Sequence, residues 1–440
     1  MMKKIIALAF VLTLASCFKD DDTPIIVEEV TIINNNDGGG GGGGDAEIIA
    51  VTGFISSDTE WTNDNIYQIN QKVVVDDGVT LTIEEGTIIK ASPGAGSLAS
   101  ALIVARGGTL IANGTADQPI IFTSTEDNIT VGQTQGTNLD ENDRGLWGGL
   151  IVLGNAPCSL RNDVSEFQIE GIPASDTFGL YGGSDAADSS GELSYISIRH
   201  GGANIGEGNE INGLTLGGVG TGTTIDHVEV VANVDDGIEF FGGTVDASNL
   251  VVWAVGDDAL DIDQAYSGTI DNAVVILGDI SDHGLEIDGP EGSLEGSFTL
   301  QNVTLIGNTV TDNGEYADYR SRAMGSTSNV YAIGFKDSSD VELDNNGVSQ
   351  NFLDGNLTFA AWEIVGFDNS VFVEKVGCAQ NCDDEDDINM DDIDEPFIIL
   401  DPTFTERAAA WTTQVNEGEQ TVGATTTGLT WTFASNSGAF

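Results

Sequence analysis

The sequence predicts an all-β fold, a right-handed parallel β-helix, on three observations. Short runs of Val, Ile, Leu and Thr closed by Gly, Asn or Asp recur from residue 46 onward, and no long 3.6-period segment interrupts them. The segments beginning at Asn212, Asp236, Asp258 and His283 superpose at steps of 24, 22 and 25 residues. A second series through Val228-Glu229-Val230, Val251-Val252-Trp253 and Val274-Val275-Ile276 keeps nearly the same step. Two strand series at one slightly irregular period describe a coil with at least two faces. Each coil then lays its strands on those before it at roughly 4.8 Å per rung, and the turns absorb small insertions. A leucine-rich repeat would need a stricter leucine and asparagine pattern, and a propeller a period nearer roughly 40.

Composition removes other classes. The 440 residues carry 71 acidic and 14 basic side chains, a net charge of −57, 57 glycines and 4 cysteines. Nucleic acid is excluded as a partner, because a polyanion would meet a strongly negative surface with few cations for its phosphates. A hydrophobic fraction of 40% with an ordinary charged fraction of 19% also excludes wholesale disorder.

Taken in order, the chain begins with Lys3 and Lys4 before an apolar run, Ile5 to Leu14, too short to span a bilayer. It ends in Leu14-Ala15-Ser16-Cys17, which resembles a lipoprotein signal with its lipobox. Residues 1–16 would be removed and Cys17 would carry the lipid; the alternative is an ordinary signal peptide with a chance cysteine. The loss of two lysines would shift the net charge of −57 by a further −2. Phe18-Lys19-Asp20-Asp21-Asp22 resembles the sorting signal by which Bacteroidota send lipoproteins to the outer leaflet of the outer membrane, although an acidic start to a solvated tether reads the same way. Residues 17–45, with Gly38 to Gly44 uninterrupted, form a flexible tether with a reach of roughly 30 Å.

The β-helix is expected over 46–400. Within it Leu81-Thr82-Ile83 and Leu102-Ile103-Val104 have the same spacing as Gly86 and Gly107, and a stretch near 159–190 breaks the period and should leave the body as a long loop. Residues 401–440, with Trp411 and Trp431, are expected to cap the last coil. Trp253 should fill the core, whereas Trp61 and Trp147 are read either as core or as platforms for sugar rings. His200 and His227 are expected as exposed turn residues without a second ligand at metal spacing. Cys378 and Cys382 suit a small loop disulfide in an oxidising exterior, which leaves Cys158 alone and buried.

Three segments carry a family resemblance: Arg144-Gly145-Leu146-Trp147-Gly148-Gly149-Leu150-Ile151, Gly213-Leu214-Thr215-Leu216-Gly217-Gly218-Val219-Gly220 and Phe240-Phe241-Gly242-Gly243-Thr244-Val245. They resemble a widespread group of Bacteroidota β-helix surface lipoproteins, whose members often bear the label "multidrug transporter". The resemblance implies a fold and an address facing the cell exterior, and leaves the activity open.

The period also arranges the chemistry. Glu239, Asp261 and Glu286 fall in one column, with Asp235, Asp257 and Asp282 near the turn that begins it. Parallel stacking brings such charges to about 5 Å, at a cost near 1 kcal/mol per neighbouring pair in water and several-fold more where water is excluded. A solvated, salt-screened face would relieve this, and so would Ca2+ held by carboxylates on adjacent rungs. The run Asp383 to Asp387 with Asp391, Asp392, Asp394 and Glu395 invites the same two readings, the solvated loop first.

Asn233 to Asp236, Gly256-Asp257-Asp258, Asp282-His283-Gly284 and Arg320-Ser321-Arg322 follow the order of the four motifs of β-helix polygalacturonases, which they resemble. That resemblance implies Asp258 as general acid, Asp236 and Asp257 activating water, His283 beside them, and Arg320 and Arg322 holding a uronate. Val234, Asp282 and Arg322 depart from the family's Thr, Gly and Lys. The function expected is a non-catalytic binding platform at the cell surface, for a glycan or beside an outer-membrane transporter. An inverting glycoside hydrolase is the alternative.

Overall fold

A computed structural model describes residues 33–34, 46–203, 211–310, 314–366, 371–374, 398 and 400–440. Cys17, the glycine tether, Cys378, Cys382 and the acidic run after Cys382 lie outside the described residues.

The described chain winds as a parallel β-helix in which nearly every strand pairs with the equivalent strand one coil away. One sheet is built of short strands, among them Leu150–Leu153, Leu214–Gly217, Ile238–Phe241, Leu260–Asp263, Leu285–Ile287, Ala317–Tyr319 and Val341–Leu343. Its register pairs Leu214, Ile238, Leu260 and Leu285 in one column, as the period predicts. Because strand side chains alternate, this column and the next inward one, Leu216, Phe240, Ile262 and Ile287, fill the lumen, all at most 1% exposed. Position two of each strand must therefore face outward.

The other wall is built of long strands such as Gly191–Arg199, Thr224–Val231, Ala247–Trp253, Thr269–Ile276, Phe298–Ile306, Gly325–Ile333 and Leu357–Val365. Each bends at one residue with positive φ: Tyr195, His227, Asn249, Asn272, Asn302, Asn329 and Ala361. The bend splits the strand into two faces, and four of these seven corners are asparagines, a side chain that tolerates the left-handed region. Asn272 donates to Asn249 Oδ1 at 2.7 Å and Asn329 to Asn302 Oδ1 at 3.0 Å, so the corners also bond along the axis. This ladder has a plain signature, Asn before an aliphatic run in Asn249-Leu250-Val251-Val252, Asn272-Ala273-Val274-Val275 and Asn302-Val303-Thr304-Leu305. It could have been found by aligning the second series on its asparagines.

Two registers differ from the sequence reading. Leu81 pairs with Leu110, and Leu102 with Val73 and Leu150, so the two early runs belong to different faces. In the second series Val228 pairs with Leu250, and Glu229 with Val251. That slip of one residue turns Glu229 from the lumen to the outer face, since the side-chain period is 2.

The outer faces are covered in part. The insertion 154–190 lies against the short-strand sheet, where Cys158, Leu160, Ile169, Ile172 and Tyr181 pack on Val74, Ile103, Ile151 and Leu153. Gly242 (φ +61) lets it approach, since a Cβ there would lie 2.8 Å from Cys158 Sγ. Burial pushes the Cys158 thiol up to about 12. At the C-terminal end Phe352, Phe359, Phe372, Phe404 and Trp411 form one aromatic cluster over the last coil. The rest of the tail does not cap. Residues 421–440 run back along the long strands, bonding in turn to Glu363, Asn329, Thr304, Asn272 and Glu229. The reason is an apolar outer stripe of Val231, Val251, Trp253 and Val274, which Leu429, Phe433 and Ala434 cover. Trp253 is thus buried under this strap rather than in the lumen.

Candidate functional site

Below the insertion, the outward column of the short-strand sheet changes character. On the upper rungs it reads Ile103, Ile151 and Thr215; from there it continues as Glu239, Asp261, Glu286, Asp318 and Glu342. Five carboxylates thus occupy five consecutive rungs, two more than the sequence reading found. Those two were hidden by the single long step of 32 residues from Glu286 to Asp318, which breaks the period. The solvated reading fails for part of this column: Glu239, Glu286 and Asp318 keep only 6%, 8% and 4% exposure.

A second column lies at the strand entrances. Asp236, Asp258 and His283 occupy equivalent positions, and His283 bridges on to Glu315. The Asp258 amide donates to Asp236 Oδ1 at 3.0 Å. His283 donates its amide to Asp258 Oδ1 at 2.7 Å, and its Nδ1 lies 2.8 Å from the same oxygen. The structure therefore brings Asp236, Asp257, Asp258 and His283 together, as the sequence order implied. Burial alone would lower the His283 imidazole, but Asp258, Asp318 and Asp282 outweigh it and hold the ring protonated up to about 10.

Arg320 sits across the column, in contact with Glu286 and with its Nε 2.7 Å from Asp288 Oδ2. Arg322 donates to the Pro290 carbonyl at 2.7 Å. The left-handed backbone at Ser321 and Arg322 turns the chain between them.

The remaining acids respond to each other. Burial, then repulsion from neighbouring carboxylates, holds Asp236, Glu239 and Asp261 far above the usual carboxylate range. The same two causes raise Asp257 to about 7, although its side chain reaches solvent, and Asp340 to about 8. Clusters of three with mutually close ligand atoms are Asp235–Asp236–Asp257, Asp236–Glu239–Asp261, Asp258–His283–Glu286 and Asp318–Glu342–Asp344.

Other sequence candidates move away from function. Trp61 and Trp147 are buried at 2% and 0%, so neither offers a sugar platform. His200 is also buried, its Nδ1 2.6 Å from the Asp143 carbonyl, and His227 stacks on Tyr195 at 4.1 Å. His200 follows its strand as expected, whereas His227 is the corner inside Thr224–Val231, and the loop carrying Asp143 and the C-terminal strap cover them. Among the described residues no helix is long and apolar enough to cross a membrane.

The family description that matches the chain is the pectate-lyase-like β-helix domain, over residues 53–412. No curated protein and no solved structure matches it. The match spans well over half of the chain and agrees with the parallel coil, and the chain belongs to the pectate-lyase-like β-helix domain family.

Proposed function

We propose that this protein is a non-catalytic platform that binds a polysaccharide along its acidic sheet face. A lipid on Cys17 would hold it to the outer leaflet of the outer membrane, facing the cell exterior, a position suited to an accessory of an outer-membrane transporter. Family membership supports a polysaccharide-related role. The observation that carries the non-catalytic reading is the engagement of the cationic groups. Arg320, the side chain that would hold a uronate, already faces Glu286 and Asp288, and His283 binds the Asp258 carboxylate that would be the general acid. A carboxylate in an ion pair with an imidazolium has no proton to give to a leaving group.

One observation favours the rival reading, an inverting hydrolase. Asp257, raised to about 7, titrates near neutral pH, where a group that activates water as general base is best poised. The two separate on a panel of neutral and acidic polysaccharides assayed for retention and for new reducing ends. The platform should retain a glycan class without turnover, and Asp258→Asn should leave retention intact. Any Asp258-dependent release of reducing ends would overturn it. The address is tested separately: Cys17→Ala should abolish fatty-acid labelling, and protease added to intact cells should cut within Gly38 to Gly44.

A further inference from the structure

We propose that Asn212, Asp236, Glu239 and Asp261 form the seat of a hard divalent cation, calcium by its donor chemistry, which also ties the insertion to the body through Glu170. One carboxylate oxygen from each of Asp236, Glu239 and Asp261 lies within 4.8 Å of the other two. They stand on two adjacent rungs, so the fold itself fixes their closeness.

Acidic neighbours alone would not make a site, and Asn212 supplies the second observation. It is 1% exposed, at the same strand entrance one rung above Asp236. Its Nδ2 donates to Glu239 Oε2, and also to Glu170 Oε1 at 3.4 Å, which places its carboxamide among the acids. Its Oδ1 is nevertheless buried with no hydrogen-bond partner, and Asp261 Oδ1 shares that condition. Buried oxygens without donors, on side chains beside buried carboxylates, are the surroundings in which a cation replaces the missing protons.

Among the described residues the nearest cations bind other groups, although Arg320 also draws down the Asp261 carboxyl that burial raises. His283 is taken up by Asp258, and Arg320 meets Glu286 and Asp288 on the rungs below. Arg320 thereby divides the column. The calcium expected across Glu239, Asp261 and Glu286 is confined by it to the Asn212 end, with Glu286 served by the guanidinium. The seat offers oxygen alone, without nitrogen or sulfur, and bidentate carboxylates can bring the count into the six to eight that calcium takes. Glu170 belongs to the insertion that covers the apolar upper rungs. A cation reached by Glu170 would therefore close the insertion at the border where the acidic column begins. The proposal is independent of the polysaccharide reading, since the seat would be needed whatever the face binds.

The test uses the purified full-length protein, stripped with EDTA and titrated with calcium chloride by isothermal calorimetry. One site is expected, and Glu239→Gln and Asn212→Ala should each weaken it by about tenfold or more, the scale on which metal sites respond to loss of a close partner. In the wild-type protein, calcium should slow amide exchange around Glu170 and Asn212 and leave Val341–Leu343 unchanged, a readout that stands even if a variant fails to fold. Absence of calcium heat overturns the proposal. So does an affinity untouched by both substitutions, or one lost on Glu342→Gln instead, which would assign the cation to Asp318, Glu342 and Asp344.

Discussion

Glu229→Gln should detach the C-terminal strap while the coils stay folded. Glu229 is wholly buried on the outer face, where Oε1 accepts from the Ala434 amide at 2.8 Å and Oε2 from the Phe433 amide at 3.0 Å. Ser197 donates to it at 2.6 Å, and Arg199, itself 2% exposed, stands 3.9 Å away. Glutamine keeps one acceptor oxygen and turns an amide N–H toward the other donors. At least one hydrogen bond to a charged group is lost, worth about 1.5–3 kcal/mol, and Arg199 loses the nearer charge that offsets its burial, Asp127 remaining, a change that costs at most about 3–5 kcal/mol. These terms overlap, so about 3–5 kcal/mol is the expected total. The strap is held mainly by burial of Leu429 and Phe433 against Val231, Val251, Trp253 and Val274. Two such side chains contribute about 3–6 kcal/mol, so the cost of the substitution offsets most of the burial that keeps the strap down. Hydrogen exchange and limited proteolysis should show residues 426–437 opening at native conditions, with a changed Trp431 fluorescence and persistent protection of the lumen strands. Unchanged strap protection beside a lower overall melting temperature would refute the reasoning, because the strap would then not be an independently opening unit.

Two further outcomes follow from the same packing. Leu260→Asp places an unpaired charge in a lumen column between Ile238 and Leu285, all 0% exposed, and should cost about 4 kcal/mol or more, with loss of strand circular dichroism over several coils rather than one. In chelator, the protein should be more stable at pH 5.5 than at pH 8.5. Asp257 and Asp340, raised to about 7 and about 8, bind protons when folded that the unfolded chain releases from about pH 4, so stability falls as pH rises through that window. His283, raised to about 10, adds stability below its unfolded value near 6.5 that is lost as pH rises through 10, in the same direction. A melting temperature that climbs steadily from pH 5.5 to 8.5 would contradict both assignments.

Period and alternation in the sequence determined the coil, the lumen columns from Leu214 to Leu285, and the stacking of Glu239, Asp261 and Glu286. They could do so because a strand's side chains reverse direction every residue, and identical rungs repeat that choice. The same rule hid Glu229: Val228 lies 22 residues from its partner Leu250 but Val251 lies 23 from its partner Val274, so one constant step carried along the series aligns it one residue off. Tertiary structure alone decided what lies over the outward positions. It set the insertion on Ile103, Ile151 and Leu153, the strap on Val251 and Trp253, and Arg320 among the carboxylates, burying His200 where a turn-like sequence had suggested exposure and deciding for Trp147 between core and platform. Local pattern fixes which way a side chain points, whereas its cover comes from segments up to 205 residues away, as between Glu229 and Ala434, and no periodicity records which of them will return.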